Sequence, residues 1–446
     1  MIETWRKYYS DGAPRYTSYP SALHFDNAVT AQDLTEKLRE TELYEPLSLY
    51  VHIPFCRELC WYCGCNMRVE NDYRRAYKYV QALASEIALY GNILAGRGRP
   101  LNVHFGGGTP NYLCSDDLAD ILCAIEQEIG LTDNANLSIE IDPRLVRDDE
   151  IERLAAIGFN RFSLGVQDFD PEVQRAVNRR QSFELISDCV SAIRAAGVDD
   201  LSFDLLYGLP QQTEQTFAAT LAKTISLSPD RVSVFGYAHM PQMLPRQKMI
   251  DSSTLPDVSL RCALATLADE RLLGAGYQRI GFDHYAKPDS ALAKANSEGR
   301  LKRNFQGFTD DAASTLIGFG ASAISFIDGV YSQNEKSIAD FIARLTTGEL
   351  PVARGLKQSK RESQAALVIS ELLCTLQANV SELLKGSPPP DAIRMCAALE
   401  RLEADGVIHW VGDIITVAEG AHALARSVAM ALDPYAPRQS SSFAAI

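Results

Sequence analysis

The chain has 446 residues, of which 46% are hydrophobic, and it carries a formal net charge of -14 at pH 7. This charge argues against nucleic acid as the main partner, because nucleic acids select basic surfaces. No stretch approaches the roughly 18 consecutive apolar residues of a membrane span, and no apolar segment follows a charged N-terminus. We therefore expect a cytoplasmic protein without a membrane partner. We also expect a monomer, because the sequence shows no long heptad seam.

The N-terminal segment contains PRYTSYP, residues 14–20, whose two prolines favour an extended chain over a helix. We expect residues 1–45 to form an extension that lies over the opening of a larger domain. This extension ends where the first strongly apolar run of the chain begins.

Six short β-rich runs follow, separated by stretches in which apolar residues recur at three- and four-residue steps. Strands that alternate with helices predict a parallel sheet with right-handed crossovers. Because six units are too few to close a full βα barrel, we predict an α/β fold with a partial (β/α)6 barrel in residues 46–350. The six runs are Ser48–Pro54, Leu101–Gly108, Leu137–Pro143, Arg161–Asp168, Leu201–Pro210 and Arg231–Ala238.

The chain from about Lys357 onward changes to a helical pattern. Residues 362–376 and 392–406 predict two amphipathic helices, and residues 406–420 predict a hairpin. This order is that of a small winged-helix module. We therefore predict a mostly helical, winged-helix-like domain over residues 357–446.

Four cysteines are crowded into ten positions directly after the first run: Cys56, Cys60, Cys63 and Cys65. A cytosolic chain rarely stores disulfides, so this group indicates metal binding or catalysis. Structural zinc usually takes two ligand pairs separated by a longer stretch, which makes zinc the weakest alternative. The spacing leaves open an iron–sulfur cluster with four cysteine ligands, or one with three cysteine ligands and an open iron.

The spacing Cys56-x3-Cys60-x2-Cys63, with Tyr62 before the third cysteine, resembles the motif of the radical S-adenosylmethionine (SAM) enzymes. The resemblance implies that these three cysteines hold a 4Fe-4S cluster whose open iron binds SAM. It also implies a partial βα barrel with the cluster loop after the first strand. One electron from the cluster then cleaves SAM and releases a 5'-deoxyadenosyl radical.

Further segments narrow the resemblance to one family: YVHIPFC, GGGTP, SIEIDP, GVQDF, VNR, YGLP, GFDHYA and RNFQGF. Together with PRYTSYP they are similar to the oxygen-independent coproporphyrinogen III oxidases over nearly the full length. The resemblance implies oxidative decarboxylation of two propionates of coproporphyrinogen III to vinyl groups in haem biosynthesis. A reductant and an electron acceptor, both unidentified, would be further partners.

The resemblance also implies roles for individual residues. Cys65 would take part in catalysis without binding the cluster, and a catalytic role is expected for His52. The alternatives are structural roles: Cys65 as a fourth cluster ligand and His52 as a histidine packed in the core. The positions that match a first SAM molecule are Tyr50, Gly107 and its neighbouring glycines, Glu140 and Ile324. The positions that match a second SAM molecule are Tyr62, Gly108, Thr109, Gln167, Arg179, Asp204 and Ala238.

Charged partners are expected at two further places. Asp204 lies inside an apolar run, where an unpaired charge is costly, so it requires either the cofactor or a salt bridge with Arg179. The propionates of the substrate require cations, for which Arg303 and Arg15 are candidates.

Two related functions compete with the oxidase. A haem chaperone of the same radical SAM fold usually carries an aromatic residue where this chain has Cys65. It also has an asparagine–tyrosine–tryptophan segment where this chain has RNFQGF, and it lacks the PRYTSYP extension. A radical SAM enzyme that acts on another tetrapyrrole is the second alternative. The presence of Cys65, RNFQGF and PRYTSYP favours the oxidase.

Overall fold

The computed structural model describes residues 3–10, 13–14, 16, 19–304 and 307–436. In these ranges the strands are β1 (Pro46–Ile53), β2 (Phe55–Cys56), β3 (Arg68–Val69), β4 (Arg99–Gly107), β5 (Asn136–Ile141), β6 (Arg161–Gln167), β7 (Asp200–Tyr207), β8 (Arg231–Gly236), β9 (Gln278–Ile280), β10 (His284–Ala286), β11 (Lys302–Asn304), β12 (Gly307–Thr309), β13 (Thr315–Phe319), β14 (Ile324–Ile327), β15 (Val330–Asn334), β16 (Val352–Lys357), β17 (Gln377–Asn379), β18 (Ile408–Val411) and β19 (Ile414–Val417).

The helices connect these strands and build the C-terminal part of the chain. They are α1 (Arg6–Ser10), α2 (Ala31–Glu40), α3 (Tyr73–Leu94), α4 (Ser115–Glu128), α5 (Glu150–Ile157), α6 (Pro171–Ala176), α7 (Phe183–Ala195), α8 (Glu214–Leu227), α9 (Val258–Gly274), α10 (Ala291–Ser297), α11 (Ile338–Thr346), α12 (Lys360–Thr375), α13 (Ser381–Gly386), α14 (Pro389–Ala404) and α15 (Ala425–Leu432). Among the helices of the described ranges, none combines the length and the hydropathy that a bilayer crossing requires.

The central sheet has twelve strands in the order β16-β15-β14-β13-β1-β4-β5-β6-β7-β8-β10-β9. The six predicted strands, β1 and β4 to β8, pair in parallel in chain order. A seventh strand, β13, pairs in parallel with β1 and was not predicted. It is short, and a hairpin rather than a helix follows it, so it lacks the alternation that marks the other units.

Antiparallel strands extend the parallel sheet on both sides. On one side β14, β15 and β16 continue from β13, and on the other side β10 and β9 continue from β8. The described pairings leave β9 and β16 as the two edges, so the barrel stays open. The predicted partial βα barrel is therefore confirmed, with antiparallel extensions that were only partly anticipated.

The strands direct alternate residues to the two faces of the sheet. In β6, Phe162, Leu164 and Val166 are fully buried and pack under the surrounding helices. The intervening residues, among them Arg161 and Ser163, face the barrel interior and line a polar cavity. Because side chains alternate along a strand, the same sequence supplies both the core and the functional face.

The C-terminal module follows the order α12, β17, α13, α14, β18, β19. The two predicted helices and the predicted hairpin are present, and β17 adds a third antiparallel strand beside β19. The helix at Ser359 begins with a capping box, in which Ser359 and Glu362 exchange hydrogen bonds with each other's backbone N–H groups. The expected winged-helix arrangement is therefore observed, and residues 437–446 lie outside the described residues.

The described part of the N-terminal segment is held by the C-terminal module. The hydroxyl groups of Tyr16 and Tyr19 both donate to the carboxylate of Asp433, each at 3.0 Å. The indole N–H of Trp5 donates to the backbone oxygen of Asp405 at 3.0 Å. The N-terminal segment is thus linked to the C-terminal module. Arg15, a predicted substrate ligand, lies outside the described residues.

A buried carboxyl group on α3 connects the barrel wall to the turn after β13. Glu86 accepts a hydrogen bond from the backbone N–H of Gly320 and another from the side chain of Asn334, each at 2.7 Å. Burial raises the pKa of Glu86 to about 8, since the two hydrogen bonds offset only part of the desolvation. The folded protein therefore holds a proton that the unfolded chain releases near the ordinary carboxyl pKa of 4.5.

We expect this contribution to stability to be complete at acidic pH and to disappear as the pH rises through about 8. The slope is at most about 1.4 kcal/mol per pH unit for one proton. The melting temperature of the wild type should therefore exceed that of Glu86→Gln most near about pH 5, and the difference should shrink toward about pH 9. Thermal unfolding across this pH range measures the difference in melting temperature. Glu400→Gln, on the exposed face of α14, is the control. A pH-independent difference would contradict the assignment.

Candidate active site

The four clustered cysteines lie on the loop between β1 and α3. The loop is fixed by the β2–β3 pairing, in which Arg68 donates its backbone N–H to the oxygen of Pro54 at 2.7 Å. Cys56 and Cys60 are buried, whereas Cys63 is partly exposed and Cys65 is exposed. All ten cysteines of the chain lie in the described ranges and are free thiols.

Hydrogen-bond donors surround the three predicted ligands. The hydroxyl of Thr109 lies 3.3 Å from the sulfur of Cys56, and the backbone N–H of Cys65 points to the sulfur of Cys63 at 3.4 Å. Two guanidinium groups contact the sulfur of Cys60. Donors of this kind stabilise thiolates, which is the form that binds iron. The donor set therefore fits a three-cysteine cluster.

The glycine segment at the end of β4 forms a cradle that side chains would fill. Gly107 has a φ of +117°, and a Cβ placed on it would lie 2.6 Å from the His52 ring. A Cβ on Gly108 would lie 2.9 Å from the backbone oxygen of Phe55, and one on Gly106 would lie 2.8 Å from a carboxylate oxygen of Glu140. The positive φ of Gly107 and the backbone contact at Gly108 therefore favour glycine, whereas at Gly106 the Glu140 side chain could shift.

Glu140 lies at the end of β5 and faces this cradle. Its carboxylate accepts a hydrogen bond from the backbone N–H of Gly107 at 3.1 Å and lies 3.2 Å from Nε2 of His104. The other ring nitrogen of His104 lies 2.7 Å from the hydroxyl of Ser138. His104 was not among the predicted site residues, although its inward-facing place in β4 is the signal that could have identified it.

Tyr50 and His52 lie one above the other on the inner face of β1. The hydroxyl of Tyr50 lies 3.0 Å from Nδ1 of His52, and Nε2 of His52 lies 2.9 Å from the backbone oxygen of Asn66. Because a carbonyl only accepts, Nε2 must carry the proton, and Nδ1 accepts from Tyr50. Burial lowers the pKa of His52, which keeps the ring neutral. The ring thus fixes the end of the cysteine loop, and its catalytic role stays a prediction.

The backbone of Ile324 lies close to the group that contains Tyr50. Tyr50 is in register with Gly318 in the neighbouring strand, and a Cβ on Gly318 would lie 2.5 Å from the backbone oxygen of Ile324. The structure therefore brings together all the positions predicted for the first SAM molecule.

A second group lies at the ends of β6 and β7. Asp204 is in register with Gly165, whose backbone oxygen accepts a hydrogen bond from Arg179 at 2.7 Å. A Cβ on Gly165 would lie 3.1 Å from Nε2 of Gln167, so this side chain belongs to the same group. Asp204 and Glu140 line one polar cavity of about 120 Å³. Burial and the charge of Glu140 both raise the pKa of Asp204.

The salt bridge between Arg179 and Asp204, which was one of two alternatives for this carboxylate, does not form. Arg179 pairs with Asp142 at 3.2 Å, and Asp204 accepts a hydrogen bond from Ser163 at 3.2 Å. The reason is geometric, since the carbonyl of Gly165 holds the guanidinium above the end of β6.

Tyr62 and Ala238 complete the second group from the opposite side. The side-chain amide of Gln247 donates to the backbone oxygens of both residues, at 3.2 Å and 3.1 Å. Burial raises the pKa of Tyr62, and the charge of Arg179 offsets part of this rise. Gln247 was missed because it lies in a short 3-10 helix, Pro245–Met249, with no recognisable motif.

Arg303 lies at the wall of a second cavity, and most of its side chain is enclosed. Its guanidinium is sandwiched between Phe282 and Phe308, at 4.8 Å and 4.5 Å from the ring centroids, and it pairs with Asp283 at 3.6 Å. Its side chain is only 6% exposed. These are its partners within the chain, and the expected contact with a substrate propionate stays a prediction.

A family model described as the radical SAM superfamily matches residues 50–223. The chain is 40% identical to the oxygen-independent coproporphyrinogen III oxidase of Bradyrhizobium diazoefficiens over 434 residues. The aligned region covers 96% of this chain and 96% of the relative. The chain belongs to the oxygen-independent coproporphyrinogen III oxidase family. The family predicted from the motifs is thereby confirmed.

Two further members of the family support this assignment. The Pseudomonas aeruginosa protein is 39% identical over 435 residues, covering 96% of this chain and 95% of the relative. The solved structure of coproporphyrinogen III oxidase from Escherichia coli, described as a radical SAM enzyme, matches with a TM-score of 0.89. It is 37% identical and covers 94% of this chain and 97% of the other. The similarity thus includes both the barrel and the C-terminal module.

Proposed function

We propose that this protein converts two propionate side chains of coproporphyrinogen III to vinyl groups without oxygen. The product is protoporphyrinogen IX, which places the reaction in haem biosynthesis. The observation that carries the proposal is the 40% identity, over 96% of both chains, to a relative named for this activity. The three thiols, the glycine cradle and Glu140 at one end of the barrel support it.

The cofactors of the radical SAM superfamily are a 4Fe-4S cluster and SAM. Cys56, Cys60 and Cys63 would hold the cluster, which leaves Cys65 free for the chemistry. When bound, these cofactors supply the electron and the radical that removes a hydrogen atom from the propionate chain. The residues that would hold the first SAM molecule are Tyr50, Gly107, Glu140 and Ile324.

A second SAM molecule is part of the proposal. Arg179, Gln167 and Asp204 lie around Gly165, and Tyr62 and Ala238 face them across the loop. A buried carboxyl beside a buried guanidinium suits a ligand that carries both an amine and a carboxylate. The remaining positions proposed for this molecule are Gly108 and Thr109.

The chain's own residues would orient the reactants. The Glu140 carboxylate accepts the Gly107 N–H and keeps the cradle in place. The neutral ring of His52 ties the cysteine loop to β1 through Tyr50 and Asn66. These contacts fix the positions from which cofactor and substrate are held, which is the main contribution of a protein to cofactor chemistry.

Several finer features belong to the same proposal. The protein would act in the cytoplasm as a monomer, with a reductant and an electron acceptor as partners. The division into 1–45, 46–350 and 357–446 stays a prediction. In the structure β16, Val352–Lys357, lies between the last two units and pairs with β15 of the barrel sheet.

The direct test uses protein reconstituted with iron and sulfide without oxygen. It is mixed with SAM, a reductant, an electron acceptor and coproporphyrinogen III. Chromatography then measures protoporphyrin after oxidation, together with 5'-deoxyadenosine. Both products support the proposal. Deoxyadenosine without a vinyl product indicates a radical enzyme for another tetrapyrrole. Neither product, from a protein with an intact cluster, indicates the haem chaperone.

A further inference from the structure

Two arginines contact one predicted cluster ligand. Nη2 of Arg144 lies 3.5 Å from the sulfur of Cys60, and Nη1 of Arg179 lies 3.6 Å from the same sulfur. Comparable donors at Cys56 and Cys63 are a hydroxyl and a backbone N–H. Among the described residues, Cys60 is thus the one of these three ligands whose sulfur lies within 3.6 Å of a guanidinium group.

Asp142 fixes both guanidinium groups. Its carboxylate accepts from Nη2 and Nε of Arg144 at 2.6 Å and 2.9 Å, and from Arg179 at 3.2 Å. Burial alone would raise the pKa of Asp142, but the two guanidinium groups outweigh it and lower the pKa to about 2. The carboxylate is therefore ionised, and its planar fork sets the plane of Arg144.

The backbone of Asp142 is fixed as well. Asn111 accepts from its N–H at 2.9 Å and donates to its oxygen at 3.2 Å. Asp142 and Arg144 have side chains only 7% and 14% exposed. Glu58, the other carboxylate at Arg144, is 67% exposed and 3.4 Å away, so water screens it. Two largely buried guanidinium groups therefore lie beside the Cys60 sulfur, and the carboxylate of Asp142 is the largely buried anion that pairs with both.

We propose that Arg144, held by Asp142, is a positioning residue that donates to the Cys60 thiolate and raises the reduction potential of the cluster. The inference rests on the proposed function, because it requires the 4Fe-4S cluster. Adding an electron to the cluster adds negative charge next to the guanidinium, which favours the reduced form. Hydrogen bonds to cluster sulfurs act in the same direction. The reduced cluster is the form that the radical reaction consumes.

The test measures the cluster rather than turnover. Wild type and Arg144→Gln are reconstituted without oxygen, and the reduced cluster is quantified by electron paramagnetic resonance across a series of set potentials. The reduced-to-oxidised ratio of Arg144→Gln should fall about tenfold at a given potential, equivalent to about 59 mV for one electron. Arg144→Lys keeps the charge but loses the fork, and it should recover part of this loss. An Arg144→Gln potential equal to that of the wild type would overturn the inference.

Arg147 provides the matched control. It is a neighbouring arginine in a partly buried ion pair with Glu150, and its other contacts are the backbone oxygens of Tyr112 and Leu113. Arg147→Gln should leave the potential unchanged; a fall equal to that of Arg144→Gln would show a general effect of lost charge and refute the assignment.

A second variant addresses loss of the cluster from Arg144→Gln. Glu58→Gln removes a negative charge next to Arg144, but water already screens this exposed side chain, so the reduced fraction should rise only slightly. A lower reduced fraction would contradict the proposal. Failure of the wild type to bind any iron–sulfur cluster would instead contradict the proposed function.

Discussion

Alanine at Cys56, Cys60 or Cys63 is expected to abolish the iron–sulfur cluster, whereas serine at Cys65 is expected to retain it. Two remaining thiolates cannot replace a three-cysteine ligand set, so the alanine variants should lose the iron, the cluster absorbance and all detectable turnover. Cys65 is exposed and reaches Cys63 through both its backbone N–H and its thiol, and a serine hydroxyl can keep such a contact. Cys65→Ser should therefore bind normal iron yet lose at least about a hundredfold in turnover, as expected for a group that takes part in the chemistry.

Iron and sulfide analysis, with absorbance spectra recorded under nitrogen, separates the two classes. Cys123 offers the control, because it is an exposed cysteine on α4 outside the candidate active site. Cys123→Ser should match the wild type in iron content and turnover. Loss of iron from Cys65→Ser would show that Cys65 is a fourth ligand, which was the alternative left open by the spacing.

Alanine at Gly107 is expected to weaken SAM binding by about tenfold to a hundredfold. The substitution forces a non-glycine residue to a φ of +117°, and its Cβ would lie 2.6 Å from the His52 ring. Either the ring or the end of β4 must move, at a cost of about 1–3 kcal/mol. About 1.4 kcal/mol corresponds to a tenfold change in affinity. Equilibrium dialysis of SAM against the cluster-loaded protein measures the change.

Gly96 is the matched control for backbone strain. It also has a positive φ, +80°, but a Cβ added there meets nothing within 4 Å. Gly96→Ala should therefore cost stability through its backbone without changing SAM affinity. Wild-type SAM affinity in Gly107→Ala would show that the cradle does not contact the cofactor.

The sequence predicted the features that depend on neighbouring residues or on regular spacing. The cysteine motif occupies one loop, and the alternation of strands and helices repeats through the barrel, so both were recognisable without tertiary contacts. The C-terminal module was predictable for the same reason, since amphipathic helices and a hairpin are local patterns. The family, the partial barrel and the end of the barrel that bears the site all followed from these signals.

The partners of buried charges were decided only by the tertiary structure. Arg179 pairs with Asp142 rather than Asp204, because strand register places the two carboxylates on different sides of Gly165. Arg303 carries no local mark of burial, yet Phe282 and Phe308 enclose it and Asp283 neutralises it.

The same holds for residues that sequence reasoning missed. His104 and Glu140 are 36 positions apart, and Arg144 and Cys60 are 84 apart. A local pattern fixes which face of a strand a residue occupies, but not which residue of a neighbouring element it meets. That choice depends on the register between strands and on the paths of the loops. The sequence therefore determined the chemistry available at the barrel end, and the tertiary structure determined which groups act on which.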